Sequence, residues 1–319
     1  MKKITFMALF VFYAAAVLFA AGKPDDTAKS YPVQDIQFIV PFPVGGATGS
    51  IAQSLVHFLD KEYSVNVVLN SITGAGGSVG ARHVLNSKAD GYTYLIIPPG
   101  LSVQKALTNL DFTFRDFTPV AAFASAEQIL VVRKDSKYKT FDDFINDARA
   151  NPSKVKFGVP MGTSLFMGVL AMQKELNVKF NIIDIGGVSV KAPELLSGRV
   201  DAFFDSAGKT IPYINSNDFR AIGVWSNEPS EFLTGVPDLK KYGFNTILEE
   251  VIGIWAPKDI PQEAVFSMRN TVKKITEDEQ FKEEFKKITT KVRFMDTKDY
   301  IQFLGEYEKN CIMLAPSMK

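Results

Sequence analysis

Short apolar runs alternate with amphipathic helical stretches along this chain, and the alternation runs through it twice. Strand-length runs at 35–40, 65–69 and 92–97 are separated by two helical stretches. One of these carries Ile51, Leu55, Phe58 and Leu59 on one face, and the other carries Val84 and Leu85. A second set of strands is predicted at 128–133, 155–159, 180–185, 200–204 and 219–225. Its helices carry Phe141, Phe144, Ile145 and Ala148, then Phe166, Val169, Leu170 and Gln173. A further strand at 252–256 stops before Pro257 and Pro261, and three amphipathic helices close the chain. Thr140 with Asp143, and Thr276 with Glu279, have the spacing of capping boxes. Strands that alternate with helices pair in parallel and bury both faces under helices, so the pattern predicts two α/β lobes in succession. In such sheets ligands bind outside the carboxyl ends of the strands, which directs attention to the strand-to-helix loops.

Charge excludes one class of partner. The 319 residues hold 36 Lys plus Arg against 35 Asp plus Glu, a formal charge of +1. A nucleic-acid partner needs a concentrated basic surface, and none is predicted. Residues 1–22 read as a secretory signal peptide: Lys2 and Lys3, an apolar run, then small residues before a polar stretch. The run also has the length of a retained anchor. Lys23 stands where a lipoprotein would carry its lipidated cysteine, so no lipid attachment is expected. The single cysteine, Cys311, makes no internal disulfide and no zinc site. Export to a periplasm or another extracytoplasmic space follows.

Two loops open their helices in the same way. Pro41-Phe-Pro-Val-Gly-Gly-Ala-Thr48 joins the first strand to the first helix, and Gly158-Val-Pro-Met-Gly-Thr-Ser164 holds the equivalent place in the second block. Glycines let the backbone approach a ligand, and free amides at a helix start attract an anion. The alternative is a tight turn with Thr48, and Thr163 or Ser164, as plain N-caps. A helix terminus contributes about 0.3–1 kcal/mol to a nearby anion. Micromolar binding needs about 8 kcal/mol. Enclosure and direct hydrogen bonds must therefore supply most of any affinity.

Other motifs carry less. Gly76-Gly-Ser78-Val-Gly80 matches the G-x-S-x-G elbow of hydrolases, but His57 and His83 are the only histidines and neither follows at a usable distance. The same glycines depart from G-x-G-x-x-G spacing, and the acidic residue of a dinucleotide site is missing. No catalytic set, no metal ligands and no cofactor are predicted. Asp205, after the strand at 200–204, either meets ligand and loop amides or pairs with Lys209.

Taken in order, these segments resemble the solute receptors of tripartite tricarboxylate transporters, the TctC or Bug type, from about Tyr31 to Lys319. The resemblance is carried by Val40-Pro-Phe-Pro-Val-Gly-Gly46, Gly74-Ala-Gly-Gly-Ser-Val-Gly80, Asp90-Gly-Tyr-Thr93, Gly162-Thr-Ser164, Leu195-Leu-Ser-Gly-Arg-Val-Asp201 and Gly253-Ile-Trp-Ala-Pro257. It implies an α/β fold of the two-lobe periplasmic-binding-protein kind (type II-like, Venus flytrap), with hinge strands near 128–132 and 252–256. The first lobe would comprise 31–127 and 251–319, and the second 128–250. The implied role is non-catalytic capture of a small carboxylated metabolite, a di- or tricarboxylate or other organic acid. Delivery would be to the large and small multi-span membrane subunits of a transporter; the alternative recipient is a membrane signalling sensor. The implied ligand contacts are Phe42, Gly45, Gly46, Thr48, Gly76, Gly77, Gly162, Thr163, Ser164 and Asp205. Many members carry Asp where Gly49 stands, and an aromatic and a cation where Ile185-Gly186-Gly187 stands, so a less polar cleft is expected here.

Overall fold

The computed structural model describes residues 31–108, 110–185, 191–226 and 228–315. The signal-peptide reading at 1–22, and Gly186 and Gly187, lie outside the described residues.

The first sheet has strand order β11-β4-β10-β3-β1-β2, built from β1 (Ile36–Val40), β2 (Val67–Ser71), β3 (Thr93–Ile97), β4 (Phe117–Ala126), β10 (Glu250–Pro257) and β11 (Lys291–Met295). β1 pairs in parallel with β2 and β3, while β10 runs antiparallel to β3 and β4. Its central strands β1, β3 and β10 are mostly apolar because helices cover both faces. Ile36, Phe38 and Val40 pack against α1 (Ala47–Glu62), α8 (Gln262–Glu277) and α9 (Glu279–Lys287). Ile39, from the other face of β1, joins the core formed with α2 (Ser78–Leu85), α3 (Leu101–Leu107) and Tyr300 and Leu304 of α10 (Thr297–Leu314).

The second sheet has order β7-β6-β8-β5-β9, from β5 (Gln128–Arg133), β6 (Lys156–Val159), β7 (Asn181–Asp184), β8 (Ala202–Ser206) and β9 (Phe219–Trp225). Leu130 and Val132 face the core under α4 (Phe141–Ala150) and α5 (Ser164–Glu175). Ile129 and Val131 face α6 (Lys191–Leu196) and α7 (Ala207–Asn215). The chain therefore forms an α/β fold of two lobes.

Three connections join them. Only Glu127 separates the end of β4 from the start of β5, and Glu250, opposite Ala126, begins the return into the first sheet. The third connection is α10: Tyr300 and Leu304 sit in a first-lobe core, whereas Tyr307, Cys311 and Leu314 complete the second-lobe core.

Several local expectations are corrected. β4 and β11 are strands that the expected set does not include. Within β4, Pro119 stands where the register against β10 shifts, a place where a missing N–H is tolerated. The Thr140–Asp143 capping box is present. The one expected at Thr276 is not, because α8 continues through Glu277 and Asp278 caps α9 by accepting from the Phe281 N–H at 2.9 Å. Nor does Thr48 cap α1; Gly46 takes that position.

Candidate functional site

The first-lobe wall grows from the loop after β1. The Gly46 N–H donates to the Pro43 carbonyl at 2.8 Å, closing a turn that places Gly46 at the head of α1, with Thr48 one residue into the helix. The turn folds down onto the helix: a Cβ on Gly49 would lie 2.2 Å from the Pro43 oxygen. A side chain at that position would need a different loop, which ties the absence of Asp there to backbone geometry. Phe42 lies under the glycine loop, its Cζ 3.2 Å from where a Gly77 Cβ would be. Gly76 and Gly77 both take positive φ, a conformation available to them because they lack a side chain. Gln104 of α3 holds the loop by donating to the Gly76 carbonyl at 2.6 Å. Phe42, Gly76 and Gly77 are thus brought together, with Gly45, Gly46 and Thr48 on the adjoining turn.

The second-lobe wall is the start of α5. Thr163 is its N-cap, accepting from the Phe166 N–H at 3.3 Å and donating to the Pro160 carbonyl at 2.7 Å, so its hydroxyl serves its own turn. The first helical residue, Ser164, uses its hydroxyl differently. Its Oγ donates to the carboxyl of Glu250, across the junction between the lobes. Gly162 precedes them at φ 75° with open space beside it.

Asp205 is the next-to-last residue of β8 and is 9% exposed. Of its two expected roles, pairing with Lys209 is not observed. Its partner is Lys191, 2% exposed, whose Nζ lies 3.3 Å from Oδ1 and also donates to the Phe204 carbonyl at 3.1 Å. The Ser206 N–H donates to the same Oδ1 at 2.8 Å. Lys209 instead reaches over the cleft and donates to the Gly45 carbonyl at 3.2 Å, linking the two groups of site residues.

Four residues without a sequence motif complete the site: Lys191, Ser206, Glu250 and Tyr307. The hydroxyl of Ser206 is buried and has no hydrogen-bond partner among the described residues, and that of Tyr307 is buried against the Ser164 hydroxyl. Tyr307 stands beside Ser164 and Glu250, and burial holds its phenol far above the ordinary tyrosine range. Burial also raises the Glu250 carboxyl, opposed by the Ser164 hydrogen bond and by Lys191. An unmatched buried hydroxyl is costly and calls for a partner, so Ser206 marks a place where a polar group or water fits. Lys191 supplies the cation expected to be missing from this cleft, a few residues after the segment where the family usually carries one.

A cavity of about 660 Å³ lies elsewhere, at the hinge edge of the sheets, with Glu127, Trp225, Lys291 and Arg293 among its lining. None of the expected ligand contacts lines it. Two ion pairs lie in its lining, Lys291 with Glu127 at 2.7 Å and Arg293 with Glu249.

Hydrolase chemistry has no support. Ser78 Oγ donates to the Ala75 carbonyl at 3.0 Å, and His57 and His83 are exposed on their helices. Among the described residues, no group of His, Cys, Asp and Glu is placed to hold a metal, and no helix is long and apolar enough to cross a membrane.

The family described as "Tripartite tricarboxylate transporter family receptor" matches residues 51–314. A UPF0065 protein of Pseudomonas sp. (strain P51) is 30% identical over 252 residues, 77% of this chain and 74% of that protein. An R. palustris protein solved with adipate superposes with a TM-score of 0.81 at 23% identity, covering 90% of this chain and 98% of that one. MatC from Rhodopseudomonas palustris, solved with bound malate, gives a TM-score of 0.77 at 20% identity, covering 89% and 100%.

Proposed function

We propose, from the premise that this chain belongs to the tripartite tricarboxylate transporter receptor family, that it captures a small organic acid between its lobes and delivers it to a membrane transporter. Members of this family are receptors that bind solute, not enzymes. One observation carries the carboxylate reading. The start of α5 places Ser164 where the lobes meet, beside the buried Tyr307 phenol and near the cation Lys191, with the unmatched Ser206 hydroxyl next to Asp205. Those groups suit a carboxylate, which accepts several hydrogen bonds at once. Adipate and malate in the two structural neighbours support the same ligand class. With one buried cation, already paired to Asp205, a dicarboxylate suits the site better than citrate.

On this reading Phe42, Gly45, Gly46, Thr48, Gly76 and Gly77 form the first-lobe wall, and Gly162, Thr163 and Ser164 the second. Asp205 acts by holding Lys191. The closing bodies are 31–127 with 251–319, and 128–250. A leader at 1–22 directs export to the periplasm, where the closed receptor docks on large and small multi-span membrane subunits.

The test is a thermal-melt panel of dicarboxylates, tricarboxylates, amino acids and aromatic acids. A ligand at 100 times its dissociation constant stabilises by about 2.7 kcal/mol. A hit confined to carboxylates, and weakened at least tenfold in Ser164→Ala, is the expected result. Hits only among cationic or neutral compounds would overturn the reading.

A further inference from the structure

Glu250 is an acid that meets the ligand wall directly, through Ser164. It opens β10 where the chain re-enters the first sheet, and its carboxyl accepts the only hydrogen that Ser164 Oγ has to give. The groups around it come from three helices and the chain just before β10. Ser164 belongs to α5, Lys191 to α6, Tyr307 and Cys311 to α10, and Glu249 precedes it in the chain. Lys191 is committed to Asp205, and Glu249 to Arg293. Glu127, at the other hinge crossing, pairs with Lys291. Tyr307 and Cys311 are held protonated by burial. Neutralisation of Glu250 therefore depends on a proton.

We propose that Glu250 sets the charge state of the ligand site: its carboxyl occupies Ser164 while the cleft is empty, and a ligand carboxylate takes Ser164 only as Glu250 becomes neutral, so that capture takes up a proton. This rests on the carboxylate-receptor reading above. Ser164 has a single hydroxyl hydrogen, and two ionised carboxylates cannot both accept it. Two carboxylates sharing one site raise the affinity of one of them for a proton. Once protonated, Glu250 gains an O–H of its own and changes from competitor to donor. Burial already moves Glu250 toward that state. Affinity for an acid then rises as pH falls, and a ligand without a carboxylate gains nothing from the proton.

Isothermal titration of the purified protein with succinate and adipate, at pH 7.5 in two buffers of different ionisation enthalpy, counts protons directly. The expected result is uptake approaching one proton per ligand, with the dissociation constant rising by up to about tenfold per pH unit. Glu250→Gln keeps an oxygen to accept from Ser164. In it, uptake disappears, the pH profile flattens, and binding at pH 8 is at least as tight as in the wild type. Should that variant not fold, the wild-type proton count decides alone. Tight binding of either acid without proton exchange, or an unchanged pH profile in a folded Glu250→Gln protein, overturns this inference and leaves the receptor reading standing. Failure of every carboxylate to bind either protein removes the receptor reading, and this inference with it.

Discussion

The Nζ of Lys209, in the first turn of α7, lies 3.2 Å from the carbonyl oxygen of Gly45 in the loop after β1. Beside it, Gly208 passes so close to the first lobe that a Cβ would stand 2.7 Å from the Ile288 oxygen. The start of one second-lobe helix thus rests on two first-lobe loops, and the lobes are closed on each other along this edge. The contact is polar, partly solvated and separate from the buried cores.

Lys209→Met should therefore leave the fold intact and shift the balance between closed and open forms. Loss of one charge-assisted hydrogen bond at a solvated edge is worth about 0.5–1 kcal/mol. Ligand release should accelerate by about two- to fivefold, read by stopped-flow fluorescence, with a melting temperature within about a degree of wild type. A large fall in melting temperature would show that Lys209 supports the fold itself.

Lys191→Met should behave in the opposite way. It leaves Asp205 almost buried without its ion-pair partner, and breaking a buried pair costs about 3–5 kcal/mol. The melting temperature should drop by on the order of ten degrees. Adding Asp205→Asn to that variant should restore part of the loss, because the uncompensated charge is gone. Calorimetry on the single and double variants distinguishes this from simple loss of packing.

Cys311 reports on the closing helix. Burial, followed by the nearby Glu250 and Glu308 carboxylates, pushes its thiol up to about 12. A thiol needs to ionise to react, and at pH 8 this one stays protonated and enclosed. A chromogenic disulfide reagent should label no cysteine in the native protein and one per chain in urea. Rapid native labelling would mean that the end of α10 opens readily.

The layout of the lobes was legible because buried strands declare themselves as apolar runs, and because cap signals are local. The Thr140–Asp143 box closes within four residues, so its spacing alone announces it. The site was only half legible. Glycines and hydroxyls cluster in sequence at 41–48, 74–80 and 158–164, but the side chains that give the site its charge come from afar. Ser164 and Glu250 are 86 positions apart. Glu250 reads as the polar lead into a strand, and Tyr307 as one more aromatic on a helix face. Lys191 was invisible for a related reason: its reach to Asp205 depends on where α6 settles. The face of α5 is only partly legible: Val169 is buried as expected, together with Met167, Ala171 and Met172, whereas Phe166 and Leu170 remain partly exposed. Gly168 permits this by letting the helix come down onto Trp225, where a Cβ would lie 2.1 Å from Cη2.

The straddling of α10 bears on the order in which the protein can become itself. A chain made from its amino end completes the second sheet at Trp225 and the first only at Met295, and each core then still lacks the side chains that α10 brings. Tyr300 is needed to shield Trp255, to which it is hydrogen-bonded at 2.9 Å, and Cys311 and Leu314 to close the other lobe. Neither lobe can finish as an independent unit before α10 is made, so the two reach their native packing together once that helix arrives.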